Sequence, residues 1–282
     1  MVKFIAEVCS NHNRNLNRCL SFVDAAAKIN CYSVKFQLFK INQLFSSEVL
    51  KKSKVHRERK KWELPEKFIP AIAERCLKKK IKFSCTPFYL DAVDFLKEYV
   101  DFFKISSYDI LRHDLLEACA KTKKPVIIST GMASTKEVDE AYKCLKRANC
   151  KKITILHCVS NYPTEIKNSN LGTIKKINKK YDCEVGWSDH TKSFEIVARA
   201  AQKWNAKTIE FHLDLDGKGR EFKMNHCWLP AEIEPVIRFI NGPHIYDKIK
   251  NKKNKKNESL EKKWRSDPED GLRPIKRYRL KI

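Results

Sequence analysis

The stretch 81–107, IKFSCTPFYLDAVDFLKEYVDFFKISS, holds two short β-branched and aromatic runs with a helical pattern between them. The runs are "IKFSCT" (81–86) and "DFFKISS" (101–107), and Leu90, Val93, Phe95 and Leu96 of the intervening "LDAVDFLKEY" gather on one helical face. A strand, a helix and a strand in so short a span imply two parallel neighbours, because a parallel pair needs a crossover. The unit recurs in both directions. Upstream lie "KFIAEV" (3–8) and "SVKFQLF" (33–39); downstream come "PVIIST" (125–130), "KITILHC" (152–158), "CEVGWSD" (183–189) and "KTIEFHL" (207–213). Amphipathic stretches such as "LNRCLSFVDAAAKIN", "FIPAIAERCLKKK", "STKEVDEAYKCLKRAN" and "SFEIVARAAQKWN" separate them. Eight such units predict an α/β fold closed into a (β/α)8 TIM barrel, assigned to residues 1–245. An open doubly wound sheet is the other arrangement, but no G-x-G-x-x-G follows a strand to support it.

The whole chain suits that size. It has 282 residues, and barrels of this kind take roughly 250. Hydrophobic residues make up 42% and charged residues 33%, an ordinary soluble composition. No apolar run approaches the ~20 residues needed to cross a bilayer, and the start "MVKFIAEVCS" has no signal-peptide pattern. The eleven cysteines form no C-x-x-C pair and are expected to be reduced thiols in a cytoplasmic protein. The net charge of +24 raises nucleic acid as a partner, yet the lysines are spread along the chain. Their one dense run, 248–263, has no interleaved aromatics and reads as a solvated segment. A lysine-rich linker is therefore expected over 246–263 and a tail packing on the barrel over 264–282. The basic stretch at 51–61 reads as an insertion or extended loop in the long second connection.

A barrel puts its chemistry at the C-terminal ends of its strands. Polar residues gather there: Glu7 and Asn11-His12-Asn13 after the first strand, Lys35 and Gln37 on the second, and Thr86 on the third. Lys104 and Ser107 end the fourth, and Ser129-Thr130-Gly131 the fifth. His157, Ser160 and Tyr162 follow the sixth, Ser188-Asp189-His190 the seventh, and His212 with Asp214 the eighth.

Ser188 and His190, two apart on a strand, point the same way without facing each other, so a local triad is not expected. His190 and His212, on adjacent strands, could share one divalent ion (Mn²⁺, with Fe²⁺, Co²⁺ or Zn²⁺ as alternatives) or be two hydrogen-bonded histidines near a turn. Lys35 and Lys104 sit in apolar runs, where a lysine must meet an anion or lose its charge. They could clamp a phosphate or carboxylate, or form an imine. The hydroxyls of Thr86, Ser107 and Ser129, with a helix start beside "STGM", favour the phosphate. Glu7 could handle protons or pair with a lysine. His157 and Cys158 face opposite ways, which disfavours a Cys–His nucleophile.

In order along the chain, "IAEVCSNHN", "VKFQLF", "CTPF", "FKISS", "ISTGM", "LHCVSNYPT", "GWSDHT" and "EFHLDLD" resemble the sialic acid synthase (N-acetylneuraminate synthase) family across residues 3–240. The resemblance implies a transferase that condenses phosphoenolpyruvate with an N-acyl amino-sugar aldehyde to a nine-carbon 2-keto acid. Phosphate would leave by C–O cleavage. It implies that His190 and His212 hold a divalent metal, commonly Mn²⁺, with Mg²⁺ or Co²⁺ as alternatives. Glu7 and Lys35 join them as catalytic residues. Lys35, Thr86, Lys104, Ser107, Ser129, Ser160 and Ser188 would bind phosphoenolpyruvate, and Gln37, Tyr162 and Glu221 the sugar.

The sequence departs from the family pattern at Arg14, where glycine is usual, and at Ser160, which is asparagine in some members. After the eighth strand "DGKGREFKMNHCWLP" replaces the usual loop, so that Glu221 stands in for a sugar-contacting aspartate and His226 becomes a further candidate. The family's C-terminal antifreeze-like domain is not found, which resembles a shorter, barrel-only branch; a homodimer is then expected without the usual domain swap. N-acetylmannosamine, a diacetamido-trideoxy hexose or another aldose are open as acceptor. A Schiff-base aldolase and a non-catalytic basic barrel that binds nucleic acid are the rival readings.

Overall fold

The computed structural model describes residues 1–243 and 261–279. Its strands are β1 (Lys3–Glu7), β2 (Ser33–Leu38), β3 (Lys82–Pro87), β4 (Phe102–Ile105), β5 (Val126–Ser129), β6 (Ile153–Cys158), β7 (Glu184–Asp189) and β8 (Thr208–His212). They form a closed parallel barrel in sequence order, with β1 paired to both β2 and β8. Each strand lies within the span expected from the sequence, except that β3 runs on to Pro87.

The helices that follow the strands are α1 (Leu16–Lys28), α2 (Ile69–Lys79), α3 (Leu90–Leu96), α4 (His113–Lys121), α5 (Thr135–Arg147), α6 (Gly172–Lys180), α7 (Phe194–Gln202) and α8 (Pro230–Asn241). Local signals start several of them. The Asn15, Ser134 and Ser193 side chains cap α1, α5 and α7, and Ser134 completes a capping box with Glu137. The insertion between β2 and α2 is not an open loop. It folds into short helical turns at Ile41–Leu44, Ser47–Lys52 and Lys54–Glu58.

The barrel wall separates two cores. Outward residues such as Phe4, Val34, Phe36, Phe83, Phe103, Ile128, Ile155, Trp187 and Phe211 join the helices in one large apolar cluster. Inside, Ile5, Phe102, Ile127 and Leu156 form a small separate plug. Because successive residues of a strand face opposite ways, the next inward positions beyond the plug, at the C-terminal ends, are Glu7, Lys104, Ser129 and Cys158. Closure of the barrel thus puts those side chains on one floor.

Gly186, in β7, shows how tightly the wall is drawn there. A Cβ at this position would lie 2.1 Å from the Thr208 carbonyl oxygen of β8 and 2.6 Å from Leu156 Cδ2. The nearer atom is backbone and paired in the sheet, so it cannot yield. Gly186→Ala is expected to cost about 3 kcal/mol by overpacking, read as a lower urea midpoint with unchanged slope. A stability equal to the parent's would contradict this packing.

A second compact unit comprises residues 243–282. In its described part Asp267 accepts the Lys276 and Glu269 backbone N–H groups, and Arg279 pairs with Asp270. The expected linker lies, through residue 260, outside the described residues.

Candidate active site

At the C-terminal mouth of the barrel is a cavity of about 580 Å³. Its lining includes Glu7, Lys35, Gln37, Thr86, Lys104, Ser107, Ser129, Tyr162, Ser188, His190, His212 and Glu221, so twelve of the thirteen residues expected from the sequence converge on it. Ser160 is the exception. It is not among the lining residues. A Cβ on Gly131 would meet Ser160 Oγ at 2.1 Å and Ser107 Oγ and Cys158 Sγ at 2.9 Å, so this hydroxyl sits directly behind the lining, buried and with no hydrogen-bond partner among the described residues. His157 also leaves the group: it packs tilted against Trp187 and bonds the Ser169 carbonyl at 3.0 Å, on the outer side of β6.

The floor is a network of four buried charges. Lys35 makes a close ion pair with Glu7 and lies 3.9 Å from Glu210; Lys104 lies 3.8 Å from the other oxygen of Glu210. Glu7 Oε1 accepts from Gln37 Nε2 at 3.0 Å and from the Cys9 N–H at 2.9 Å. Ser188 Oγ donates to Glu210 at 3.2 Å. The Lys35 ammonium donates to Thr86 Oγ1 at 3.3 Å. Burial works against every charge here; it prevails at Glu7 and Lys104, and the neighbours prevail at Glu210 and Lys35. Burial raises the Glu7 pKa, with Lys35 offsetting only part of it. Glu210 overcomes burial through Lys104 and Lys35, and its pKa falls. Lys35 is raised despite burial by Glu210 and Glu7. Lys104 is lowered, first by burial and then, against Glu210, by the like charge of Lys35.

Around Lys104 the hydroxyls are unevenly occupied. Ser107 Oγ accepts from the Gly131 N–H at 3.0 Å and sits 3.1 Å from Cys158 Sγ. Ser129 Oγ is buried with no hydrogen-bond partner among the described residues. A buried hydroxyl without a partner beside a buried ammonium is a donor set for an anionic oxygen.

Opposite the lysines is a cluster of rings. His190 and His212 are 5.3 Å apart between ring centres, and Tyr162 packs tilted against His190 at 4.3 Å. His190 Nδ1 is tied to the Val159 carbonyl at 2.7 Å, which leaves Nε2 as a free lone pair. Burial, then the charge of His212, lowers its pKa to about 3, so this imidazole is neutral. His212 goes the other way, raised despite burial by the Glu221 carboxylate 3.5 Å from its Nδ1. A neutral imidazole with a free lone pair, a second imidazole beside it and a carboxylate in reach fit a divalent transition ion. The triad question is also answered: Ser188 bonds Glu210, and Asp189 turns away to accept from the indole N–H groups of Trp187 and Trp228, each at 3.1 Å.

Sequence reading did not single out Glu210, although it bridges both lysines. Its signal was present: Thr208, Glu210 and His212 alternate along β8, so a residue two before an inward histidine is inward too. Cys9, in the same lining, is held against Glu221. Burial, then Glu221 and Glu7, keep its thiol protonated.

The NeuB family model matches residues 22–250. The chain is 38% identical over 246 residues to an uncharacterized protein of Methanocaldococcus jannaschii, covering 87% of this chain and 71% of that one. It is 35% identical over 225 residues to the N,N'-diacetyllegionaminic acid synthase of Campylobacter jejuni, covering 75% of this chain and 67% of that one. Among solved structures, the N-acetylneuraminic acid synthetase of Leptospira borgpetersenii, in complex with citrate, superposes with a TM-score of 0.80 at 31% identity. That match covers 92% of this chain and 90% of the other.

Proposed function

The chain belongs to the NeuB family, and from that premise we propose that it is a phosphoenolpyruvate-dependent synthase acting on an N-acyl amino-sugar aldehyde. The observation that carries the reading is the pair of buried lysines, Lys35 and Lys104, ringed by Thr86, Ser107, Ser129 and Ser188 and facing His190 and His212 across one cavity. Lysines and hydroxyls suit a phosphate and a carboxylate, and the histidine side suits an aldehyde oxygen.

The reaction joins C3 of phosphoenolpyruvate to the aldehyde carbon while water adds to C2. The C2–O bond to phosphorus's ester oxygen then breaks, and its electron pair leaves on phosphate. The two protons of the water end on the new hydroxyl and on the released hydrogen phosphate, so no oxidant is needed. Lys104, Thr86, Ser107 and Ser129 hold the phosphate, and Lys35 with Ser188 the carboxylate end. Two lysines and two glutamates nearly cancel before ligand enters, so an anionic substrate is best accommodated with one proton taken up. Glu7, raised in pKa by burial, takes up that proton, passes it to the aldehyde oxygen, and as a carboxylate then accepts one from the attacking water, ending protonated again. Gln37 and Tyr162 orient the sugar. His190 and His212 would hold a divalent ion (Mn²⁺ first, Mg²⁺ or Co²⁺ as alternatives), which would supply Lewis acidity toward the aldehyde oxygen. The family relatives are biosynthetic enzymes, and no helix among the described residues is long and apolar enough to cross a membrane; the setting we assign is cytoplasmic.

The test is phosphate release from phosphoenolpyruvate with Mn²⁺ and a panel of N-acyl amino sugars, with and without chelator. Release that needs both metal and sugar is expected, and the panel names the acceptor. Failure of phosphoenolpyruvate to bind at all, with no release, would overturn the reading. The lowered pKa of Lys104 favours one other chemistry, an imine with a keto acid. Borohydride trapping of a lysine adduct separates the two, since the synthase forms none.

A further inference from the structure

The loop after β8 brings two more donors to His212. Glu221 Oε2 lies 3.5 Å from His212 Nδ1 and 3.7 Å from His226 Nε2, and the two ring nitrogens face each other at 3.2 Å. Donors bonded to one ion at about 2.1 Å stand about 3.0–3.4 Å apart at right and tetrahedral angles, so the two imidazole nitrogens already have that spacing and the carboxylate oxygen stands only slightly wider. The rings agree. Imidazoles on one ion have centres about 4.6 Å apart at a right angle and about 6.5 Å at a straight one. The observed separations are 4.5 Å for His212–His226, 5.3 Å for His190–His212 and 6.5 Å for His190–His226.

The loop is also built to keep them there. It leaves β8 and returns beside it, where the Trp228 N–H donates to the His212 carbonyl and the Asp214 N–H to the Trp228 carbonyl, each at 2.8 Å. Asn11 accepts the Glu221 N–H at 2.8 Å and donates to the Leu213 carbonyl at 3.0 Å. Arg18 clamps Asp214 and Asp216, and Gly219 passes so close that a Cβ would strike Asp214 and Asn11. Glu221 and His226 are both buried. Cys227 lies at the edge of the cluster, its Sγ 3.8 Å from His226 Nε2, and accepts a hydrogen bond from Asn11.

We propose that Glu221 and His226 are further protein ligands of the divalent ion at His190 and His212, making one site of three imidazoles and a carboxylate. This set favours a first-row transition ion over Mg²⁺. It changes the role expected of Glu221, from sugar contact to metal ligand, and it puts His226 to use. The inference rests on the proposed metal at His190 and His212 but not on any substrate.

The test is therefore metal binding without substrate: chelator-stripped protein is titrated with Mn²⁺, free ion being read by electron paramagnetic resonance. His226→Gln and Glu221→Gln are each expected to weaken Mn²⁺ binding about tenfold or more, while circular dichroism and melting show them folded. Weak competition by Mg²⁺ and strong competition by Zn²⁺ are expected in the parent protein. Binding that is lost in His212→Ala but unchanged in both glutamine variants would overturn this inference and leave the synthase reading standing. Parent protein that binds no Mn²⁺ would overturn both metal proposals. An inactive parent with the tenfold losses intact would overturn the proposed reaction alone.

Discussion

Replacing His212 with alanine is expected to lower turnover of phosphoenolpyruvate and amino sugar by on the order of 10³-fold, about 4 kcal/mol of transition-state stabilisation. The fold should survive. His212 points into the cavity, and the apolar cluster that binds strands to helices does not include it. The phosphate side should survive as well, because Lys104, Ser107 and Ser129 make no contact with this ring in the hydrogen-bond network. The diagnostic pattern is a collapsed kcat with near-parental phosphoenolpyruvate affinity and a cooperative melt. A variant that keeps a tenth of the parental kcat would remove His212 from the chemistry.

Replacing Lys104 with alanine is expected to do the reverse. A buried charge-assisted contact is worth about 1.5–3 kcal/mol, so phosphoenolpyruvate affinity should fall about 10- to 100-fold. The pH profile gives a second reading of the same residue. Lys104 is lowered from the ordinary lysine value, chiefly by burial, and is cationic only below that lowered pKa. Binding of the anion should therefore weaken as pH rises through it, well before free lysine titrates. The limb should vanish in Lys104→Ala, because Lys35 is raised by its glutamates and stays charged. Calorimetric titration across neutral to alkaline pH checks this; a parent profile that stays flat to the ordinary lysine range would contradict the assignment.

How much of this could be read in one dimension follows from what each residue needs. The order of strands and helices was legible because each unit is local: an apolar run of four to seven residues, a turn signal, an amphipathic stretch. Closure into a barrel followed from counting them. Most site residues were legible for the same reason, since each stands at the end of its own strand, and eight ends must meet on one rim. Glu210 needed one more step, the alternation along β8. Parity alone could not settle which side faced inward, because strands of a barrel are apolar on both faces. His157 was grouped with the rim on that account, and only the packing of Trp187 against it shows that it points outward.

What the tertiary structure alone decided are relations between distant segments. Ser160 lies in the right segment of chain, but its hydroxyl is set behind the lining against Gly131, with no hydrogen-bond partner among the described residues, a placement that depends on how the segments after β5 and β6 meet. The four-charge floor depends on β1, β2, β4 and β8 being brought to one level, so its pKa pattern cannot be read from any one strand. The loop after β8 is the clearest case. Its residues have no periodicity, and their positions are set by Asn11 and Arg18 from the other end of the chain. Local patterns determined the barrel and its rim because secondary structure is a property of neighbours in sequence. The company kept by Glu221 and His226 is a property of neighbours in space, and only the closed barrel supplies them.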